Sequence, residues 1–269
     1  TYTIGSDNKD FSTAIGSEST IVKVGEGTML VTTTGKLKKP VTVKAGGFHF
    51  YGSETAAVVS SAIVAEGTGS IVGEGLVQSL TMRTGSQLTP RSLYMEDNFG
   101  GLFPGTIKST AAGNFNAGST LNILINDAET YSTIEPRYLT MNGTVKVTLG
   151  EDYKPKAGDT FTLWTTTTFS GTPSYSLPQL PEGLYWNALA DKTGVLSITD
   201  DASVGIGRIA GGELVSCDVY TVGGLFVGSF EAQRGEVRAA VKQLGVQPGL
   251  YIVRIQAGRN FEAETVSVK

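Results

Sequence analysis

The side chains that could do chemistry are few in this 269-residue sequence. His49 is its single histidine and Cys217 its single cysteine, so a Ser-His-Asp triad would depend on His49, and a zinc site would lack ligands. No Gly-x-Ser-x-Gly motif accompanies His49. It alternates with Phe48 and Phe50, which places it on the outer face of a strand. We therefore predict no catalytic residue, no bound metal and no cofactor.

Acidic and basic side chains form two groups that could act on glycans. One contains Arg91, Glu96 and Asp97, and the other contains Asp127, Glu129, Glu135 and Arg137. A glycan-cleaving site needs at least two carboxylates, or carboxylates with Arg or Lys, on one face of successive turns. A cleft lined by aromatics and such carboxylates would favour glycan binding or cleavage. A face rich in Thr, Ser and Asn would favour adhesion, and solvated loop charges are the simpler explanation of both groups.

The segment from Pro90 to Asn126 interrupts the pattern of the surrounding chain, because it combines mixed charge, aromatics and glycine turns. A loop that projects from a repetitive scaffold often carries its binding surface. The ligand-binding candidates in this segment are Tyr94, Glu96, Asp97 and Phe99. The alternative is a turn anchored by Leu102 and Phe103.

The composition and the pattern of the chain both indicate strands. The chain has 35 glycines and only 17% charged residues, and its apolar and polar side chains alternate in short runs. The spacing of the glycine-bounded runs is irregular, as in a degenerate repeat. We predict an all-β protein that begins with a right-handed parallel β-helix of about 20 residues per turn. The alternative is an antiparallel sandwich or barrel, which would favour two-residue hairpins; only Asn142-Gly143 fits that form well.

The stretch 139–200 resembles the end of the passenger region of autotransporter-type β-helix proteins. The matching residues are 142–145 (Asn-Gly-Thr-Val), 153–163 (Tyr-Lys-Pro-Lys-Ala-Gly-Asp-Thr-Phe-Thr-Leu), 180–186 (Leu-Pro-Glu-Gly-Leu-Tyr-Trp) and 193–198 (Thr-Gly-Val-Leu-Ser-Ile), in the same order. The resemblance implies a secreted or surface-displayed solenoid and names no ligand. Trp164, Tyr185 and Trp186 lie in this stretch, where we expect them to cap the end of the core.

The acids and glycines at 200–207 read as a linker, which divides the chain into a β-helix over residues 1–200 and a small antiparallel Ig-like β-sandwich over residues 201–269. Five strands are expected in the sandwich, one of them at 237–241, with a short helical turn over 238–244 as an alternative. The pattern places Cys217 inside with Val219.

The last 60 residues or so resemble the C-terminal sorting domain of type IX secretion cargo. The resemblance lies in 219–227 (Val-Tyr-Thr-Val-Gly-Gly-Leu-Phe-Val), in 249–255 (Gly-Leu-Tyr-Ile-Val-Arg-Ile) and in the terminal Val-Ser-Val-Lys. It implies export across the outer membrane, with Gly249, Tyr251, Arg254 and Lys269 as the residues of the sorting motif. Glu264 departs from the pattern, because a basic residue is common there.

These patterns predict an exported, surface-displayed, adhesin-like or structural protein without catalytic activity. Its partners would be the secretion machinery and a host or matrix glycan or protein. The net charge of −4 argues against binding nucleic acid, and no apolar run of 18 residues spans a membrane. The alternatives are a glycan-binding or glycan-cleaving protein, or the C-terminal part of a larger exported protein.

Overall fold

In the structure, a computed structural model, strands predominate and helix is almost absent among the described residues. The structure describes residues 2–3, 9–10, 20–32, 37–52, 57–92, 102–188, 192–200, 214–233, 237, 240–241, 244, 246–257 and 260–268. The chain divides into two compact units, Thr1–Ile206 and Gly207–Lys269.

The first unit contains sixteen described strands. They are β1 (Tyr2–Thr3), β2 (Lys9–Asp10), β3 (Ile21–Val24), β4 (Thr28–Val31), β5 (Val41–Tyr51), β6 (Val59–Met82), β7 (Gln87–Pro90), β8 (Thr106–Phe115), β9 (Thr120–Ile125), β10 (Thr133–Met141), β11 (Thr144–Leu149), β12 (Thr160–Thr162), β13 (Thr168–Ser170), β14 (Ser174–Ser176), β15 (Tyr185–Ala188) and β16 (Val195–Thr199).

Thirteen of these strands form one curled, parallel sheet in two columns, at one end of which β1 pairs with β3 and β2 pairs with β4. The first column contains β3, the start of β5, both ends of β6, then β8, β10 and β13. The second contains β4, the rest of β5, the middle of β6, then β7, β9, β11 and β14. The chain runs along one column and then the other, so each pass lies on the previous one. The prediction of an all-β chain with a solenoid-like parallel sheet is confirmed.

Apolar side chains stacked on their register partners form the core of the first unit. In the second column one such stack consists of Met29, Phe48, Ile71, Leu88, Leu121 and Val145, each fully buried. Burying a side chain of this size contributes roughly 1.5–3 kcal/mol relative to leaving it exposed. Because each layer covers the layer before it, the inward positions carry most of the stability of the unit.

Strand β6 shows why glycine is frequent. It runs for 24 residues, where the sequence suggested several shorter strands, and it passes from one column to the other and back. Gly73 lies at a bend with φ of 152°. A Cβ there would overlap the carbonyl oxygen of Phe50 on the neighbouring strand. Glycine thus bends the strand while the hydrogen-bond ladder continues.

A lysine is buried within the stack. Lys23 points inward from β3, and its Nζ donates hydrogen bonds to the carbonyl oxygens of Gly25 (2.6 Å), Ala45 (3.0 Å) and Val24 (3.2 Å). Burial lowers the pKa of this ammonium group, and the charge of Glu26 opposes that shift. Since Gly25 and Ala45 belong to successive passes, one side chain satisfies carbonyl groups at the same corner of two layers.

Aromatic residues pack where the parallel columns give way to a small antiparallel sheet of order β12-β16-β15. The Trp164 ring stacks on Phe169 with centroids 5.6 Å apart, and Phe161 packs against Trp186 at 6.3 Å. Both tryptophans are buried, so neither ring is available to stack on a sugar. Trp164 and its neighbour Leu163 are both buried, because β12 ends at Thr162 and strict alternation ends with it.

The second unit contains four described strands in an antiparallel sheet of order β18-β17-β19-β20. They are β17 (Leu214–Thr221), β18 (Phe226–Gln233), β19 (Gly249–Ala257) and β20 (Asn260–Val268). Cys217 and Val219 are buried on one face, as predicted. The strand predicted at 237–241 is wrong, because Val237 and Val241 are helical and both are buried in the core of this unit. Their four-residue spacing places both on one side of a helical turn.

Replacing Gly73 with Ala tests the close approach of strands. We expect Gly73→Ala to lower the free energy of unfolding by about 3 kcal/mol, because it adds both left-handed backbone strain and overlap with Phe50. Gly158 also has positive φ, but nothing lies within 4 Å of an added Cβ, so Gly158→Ala should cost only about 1–2 kcal/mol. Urea unfolding followed by circular dichroism measures both. If both substitutions lowered the free energy of unfolding equally, the overlap predicted at Gly73 would be contradicted.

Candidate functional site

The described residues on either side of the predicted binding loop are bridged to each other. The loop's candidates Tyr94, Glu96, Asp97 and Phe99 lie outside the described residues. Arg91 and Pro104 form an antiparallel bridge, and the Ser92 amide donates to the carbonyl oxygen of Phe103 at 3.0 Å. Leu102 was predicted as an anchor, but it is 56% exposed. It lines a cleft instead.

This cleft lies where the second column ends and the chain turns back toward the first. Its volume is about 590 Å³, within the usual range for ligand pockets. The lining residues come from the return of the loop and from the ends of β9 and β11: Leu102, Leu124, Asn126, Thr148, Leu149, Gly150, Glu151 and Asp152.

Strand register and one buried serine position the cleft. Leu124 pairs with Thr148 across β9 and β11. Ser132 Oγ donates to the carbonyl oxygen of Pro90 at 2.7 Å and accepts the Leu124 amide at 3.2 Å. Asn126 Nδ2 donates to the carbonyl oxygen of Leu102 at 3.0 Å. The three segments around the cleft are therefore joined by direct hydrogen bonds.

The lining combines an apolar floor with an acidic rim. Leu102, Leu124 and Leu149 supply apolar surface, while the Glu151 and Asp152 side chains are exposed. Among the described residues, neither carboxylate forms an ion pair. Among the lining residues that the structure describes, none is aromatic, and the two acids are adjacent in one turn of the chain rather than on successive passes. The arrangement suits binding of a cationic, partly apolar group and lacks the carboxylate geometry of a glycan-cleaving site.

A smaller hollow of about 170 Å³ lies beside the start of the loop, lined by Gly52, Glu74, Gly75, Pro104, Gly105 and Thr106. Ser92 Oγ donates to the Glu74 carboxylate at 2.7 Å. On β5, His49 lies on the side opposite the buried Phe48 and Phe50, as predicted. Burial and then the charge of Arg91 lower the pKa of His49 to about 4. His49 is thus neutral at neutral pH.

In the second predicted group, Asp127, Glu135 and Arg137 each contact neighbouring residues. Asp127 Oδ1 accepts the amides of Glu129 (2.8 Å) and Thr130 (2.6 Å), which lowers the pKa of Asp127. Glu135 forms an ion pair with Lys108 at 3.2 Å, and the Arg137 guanidinium lies 5.1 Å from the centroid of the Tyr138 ring. These contacts organise turns and strand faces rather than a shared site.

A second surface runs along the outside of the second column. We call it the polar face, and it consists of Gln87, Thr89, Thr120, Asn122, Thr144, Lys146, Ser174 and Ser176. Asn122 Nδ2 donates to Gln87 Oε1 (3.1 Å) and Thr89 Oγ1 (3.0 Å). The hydroxyl groups of Thr144 and Ser174 are 2.9 Å apart. Every one of these side chains is exposed or half-buried, and only the lysine carries a charge.

The four residues of the sorting-type motif fall on β19 and at the chain end. Tyr251 is buried, and its hydroxyl donates to the carbonyl oxygen of Gln247 at 2.8 Å. Arg254 points to the opposite side of β19 and pairs with Asp218 at 3.3 Å. Gly249 begins the strand, and Lys269 lies outside the described residues.

Comparison with known proteins found no family model that matches this chain and no curated protein that matches it. Within the described ranges, no helix is long and apolar enough to cross a membrane. The same residues contain no group of three or more His, Cys, Asp or Glu side chains placed to hold a metal ion.

Sequence reasoning missed the cleft. The sequence pattern indicates ordinary strand positions for Leu124 and Leu149, and a solvated turn for Gly150-Glu151-Asp152. The available signal was the turn itself, directly after an alternating strand. Only the pairing of β9 with β11 shows that this turn lies beside Leu102.

Acid titration tests the environment of His49. Its folded pKa, about 4, lies below the ordinary 6.5, so the unfolded chain binds the proton first as the pH falls. The stability from neutral His49 is fully present above pH 6.5 and is lost towards pH 4, a change of roughly 2–3 kcal/mol. We expect His49→Gln to flatten the pH dependence of the unfolding free energy between these values. If the unfolding free energies of the native chain and of His49→Gln changed equally with pH, the lowered pKa of His49 would be contradicted.

Proposed function

We propose that this chain is an exported, surface-displayed, adhesin-like protein without catalytic activity. In this proposal the first unit is a right-handed parallel β-helix that presents its outer faces to a host or matrix glycan or protein. The polar face is the observation that carries the proposal. The outward groups of Gln87, Thr89, Asn122, Thr144 and Ser174 are held by hydrogen bonds between successive strands, so they are already ordered before a partner binds.

The physical basis of adhesion would be many weak polar contacts. Each hydroxyl or amide on the polar face can donate and accept hydrogen bonds, and the strands repeat about every 4.8 Å. Binding would therefore depend on area and register rather than on one deep pocket. This favours adhesion over the glycan-cleaving alternative, for which aromatics and carboxylates on adjacent turns were the expected signs.

We further propose that the second unit is a small Ig-like sandwich of the type IX sorting type, recognised by the secretion machinery. The support is its antiparallel sheet with one buried face, the arrangement expected of one layer of such a sandwich. The motif residues Gly249, Tyr251 and Arg254 lie on one strand, and Tyr251 is fixed by its bond to Gln247.

Adhesion is tested by adding charge to the polar face. The register partners Thr120 and Thr144 lie on it, whereas the register partners Asn114 and Thr140 lie on the first column. We expect the full chain to bind a member of a glycan or matrix-protein array, and Thr120→Glu with Thr144→Glu to weaken that binding about tenfold, because carboxylates disrupt the neutral hydroxyl ladder. The matched control, Asn114→Glu with Thr140→Glu, should bind normally. No array binding by the native chain, or equal loss in both variants, would refute the proposal.

Export is tested in a bacterium that has type IX secretion. With a signal peptide attached, the full chain should reach the cell surface or medium, and a chain without residues 207–269 should stay in the periplasm. Immunoblots of cell fractions measure the distribution, and a host lacking the secretion channel provides the control. Export of the truncated chain at the normal level would rule out a sorting role for the second unit.

A further inference from the structure

We infer that the cleft between the loop return and the ends of β9 and β11 binds a short peptide segment in which a basic side chain adjoins apolar ones. The cleft uses none of the residues of the polar face, so this inference does not rest on adhesion through that face. The proposed ligand class follows from the shape, the lining and the charge of the cleft.

The apolar part of the ligand would pack on the leucines. Leu102 is 56% exposed, although the return of the chain at Arg91 and Pro104 fixes its backbone. Leu124 and Leu149 form the inner wall. An exposed leucine held at the edge of a concave site gains free energy when a ligand covers it, because apolar surface leaves water.

The basic part of the ligand would meet the rim. Glu151 and Asp152 lie at one side of the cleft, both exposed and, within the described chain, without a cationic partner. Two adjacent carboxylates attract an arginine or lysine side chain, and a guanidinium group can engage a carboxylate with two hydrogen bonds. Charge complementarity therefore selects a cationic ligand over a neutral or acidic one.

The lining favours a peptide over a sugar. Sugar rings stack on aromatic side chains, and none of the described residues that line this cleft is aromatic. Thr148 supplies a hydroxyl group that can donate to or accept from a peptide backbone. A volume of about 590 Å³ accommodates a segment of a few residues rather than a folded domain.

Fluorescence anisotropy with the full chain and labelled Leu-Arg-Leu amide tests the inference. We expect saturable binding that is weakened about fivefold or more by Glu151→Gln with Asp152→Asn, and about threefold by Leu102→Ser. The control is Glu182→Gln with Asp200→Asn, which removes the same charge from exposed acids elsewhere and should change the affinity less than about twofold. Circular dichroism confirms that each variant is folded.

Comparison peptides separate the two parts of the site. Leu-Glu-Leu amide should not bind, because the rim repels it, and Ser-Arg-Ser amide should bind more weakly than Leu-Arg-Leu amide. No binding of Leu-Arg-Leu amide, equal binding of Ser-Arg-Ser amide, or equal weakening by the control substitutions would overturn the inference. These outcomes leave array binding by the polar face unaffected, so the two proposals fail separately.

Discussion

The parallel ladder of backbone hydrogen bonds between successive passes is the constraint on which the first unit depends. In a ladder of this kind each residue has a fixed partner on the next strand, and inward side chains must stack on inward side chains. Met29, Phe48 and Ile71 are the first three members of one such stack. A slip of one residue would turn the whole stack outward, so the burial of these residues specifies the register.

The same constraint explains the polar groups inside the stack. Lys23 occupies an inward position where a hydrophobic residue would leave carbonyl oxygens of two passes without a donor, and its ammonium group bonds to Gly25 and Ala45. Ser132 has a comparable role near the cleft, because its hydroxyl group joins Pro90 to Leu124. Polar side chains are buried here because corners leave backbone groups that the ladder does not satisfy.

Both proposed binding surfaces consist of side chains that lie outside the core. The outward positions of the second column carry neutral polar side chains, and its end carries a cleft with leucines and two acids. The polar face lies on strands of this ladder, and hydrogen bonds from Ser132 and Asn126 join the segments around the cleft. Arg91 and Pro104, which flank the predicted binding loop, are bridged to each other at the edge of this stack.

The sequence by itself determined the all-β class and, within regular strands, which side chains face inward. Alternation placed Phe48 and Phe50 inside with His49 outside, and it placed Cys217 inside with Val219, because a strand directs successive side chains to opposite sides. Tertiary structure alone decided which strands are partners. Asn142-Gly143 turns a corner, since β10 pairs with β8 and β11 pairs with β9 instead of forming a hairpin together. The helical turn at Val237 and the cleft beside Leu102 also depended on contacts distant in the chain, which a local pattern of apolar residues does not contain.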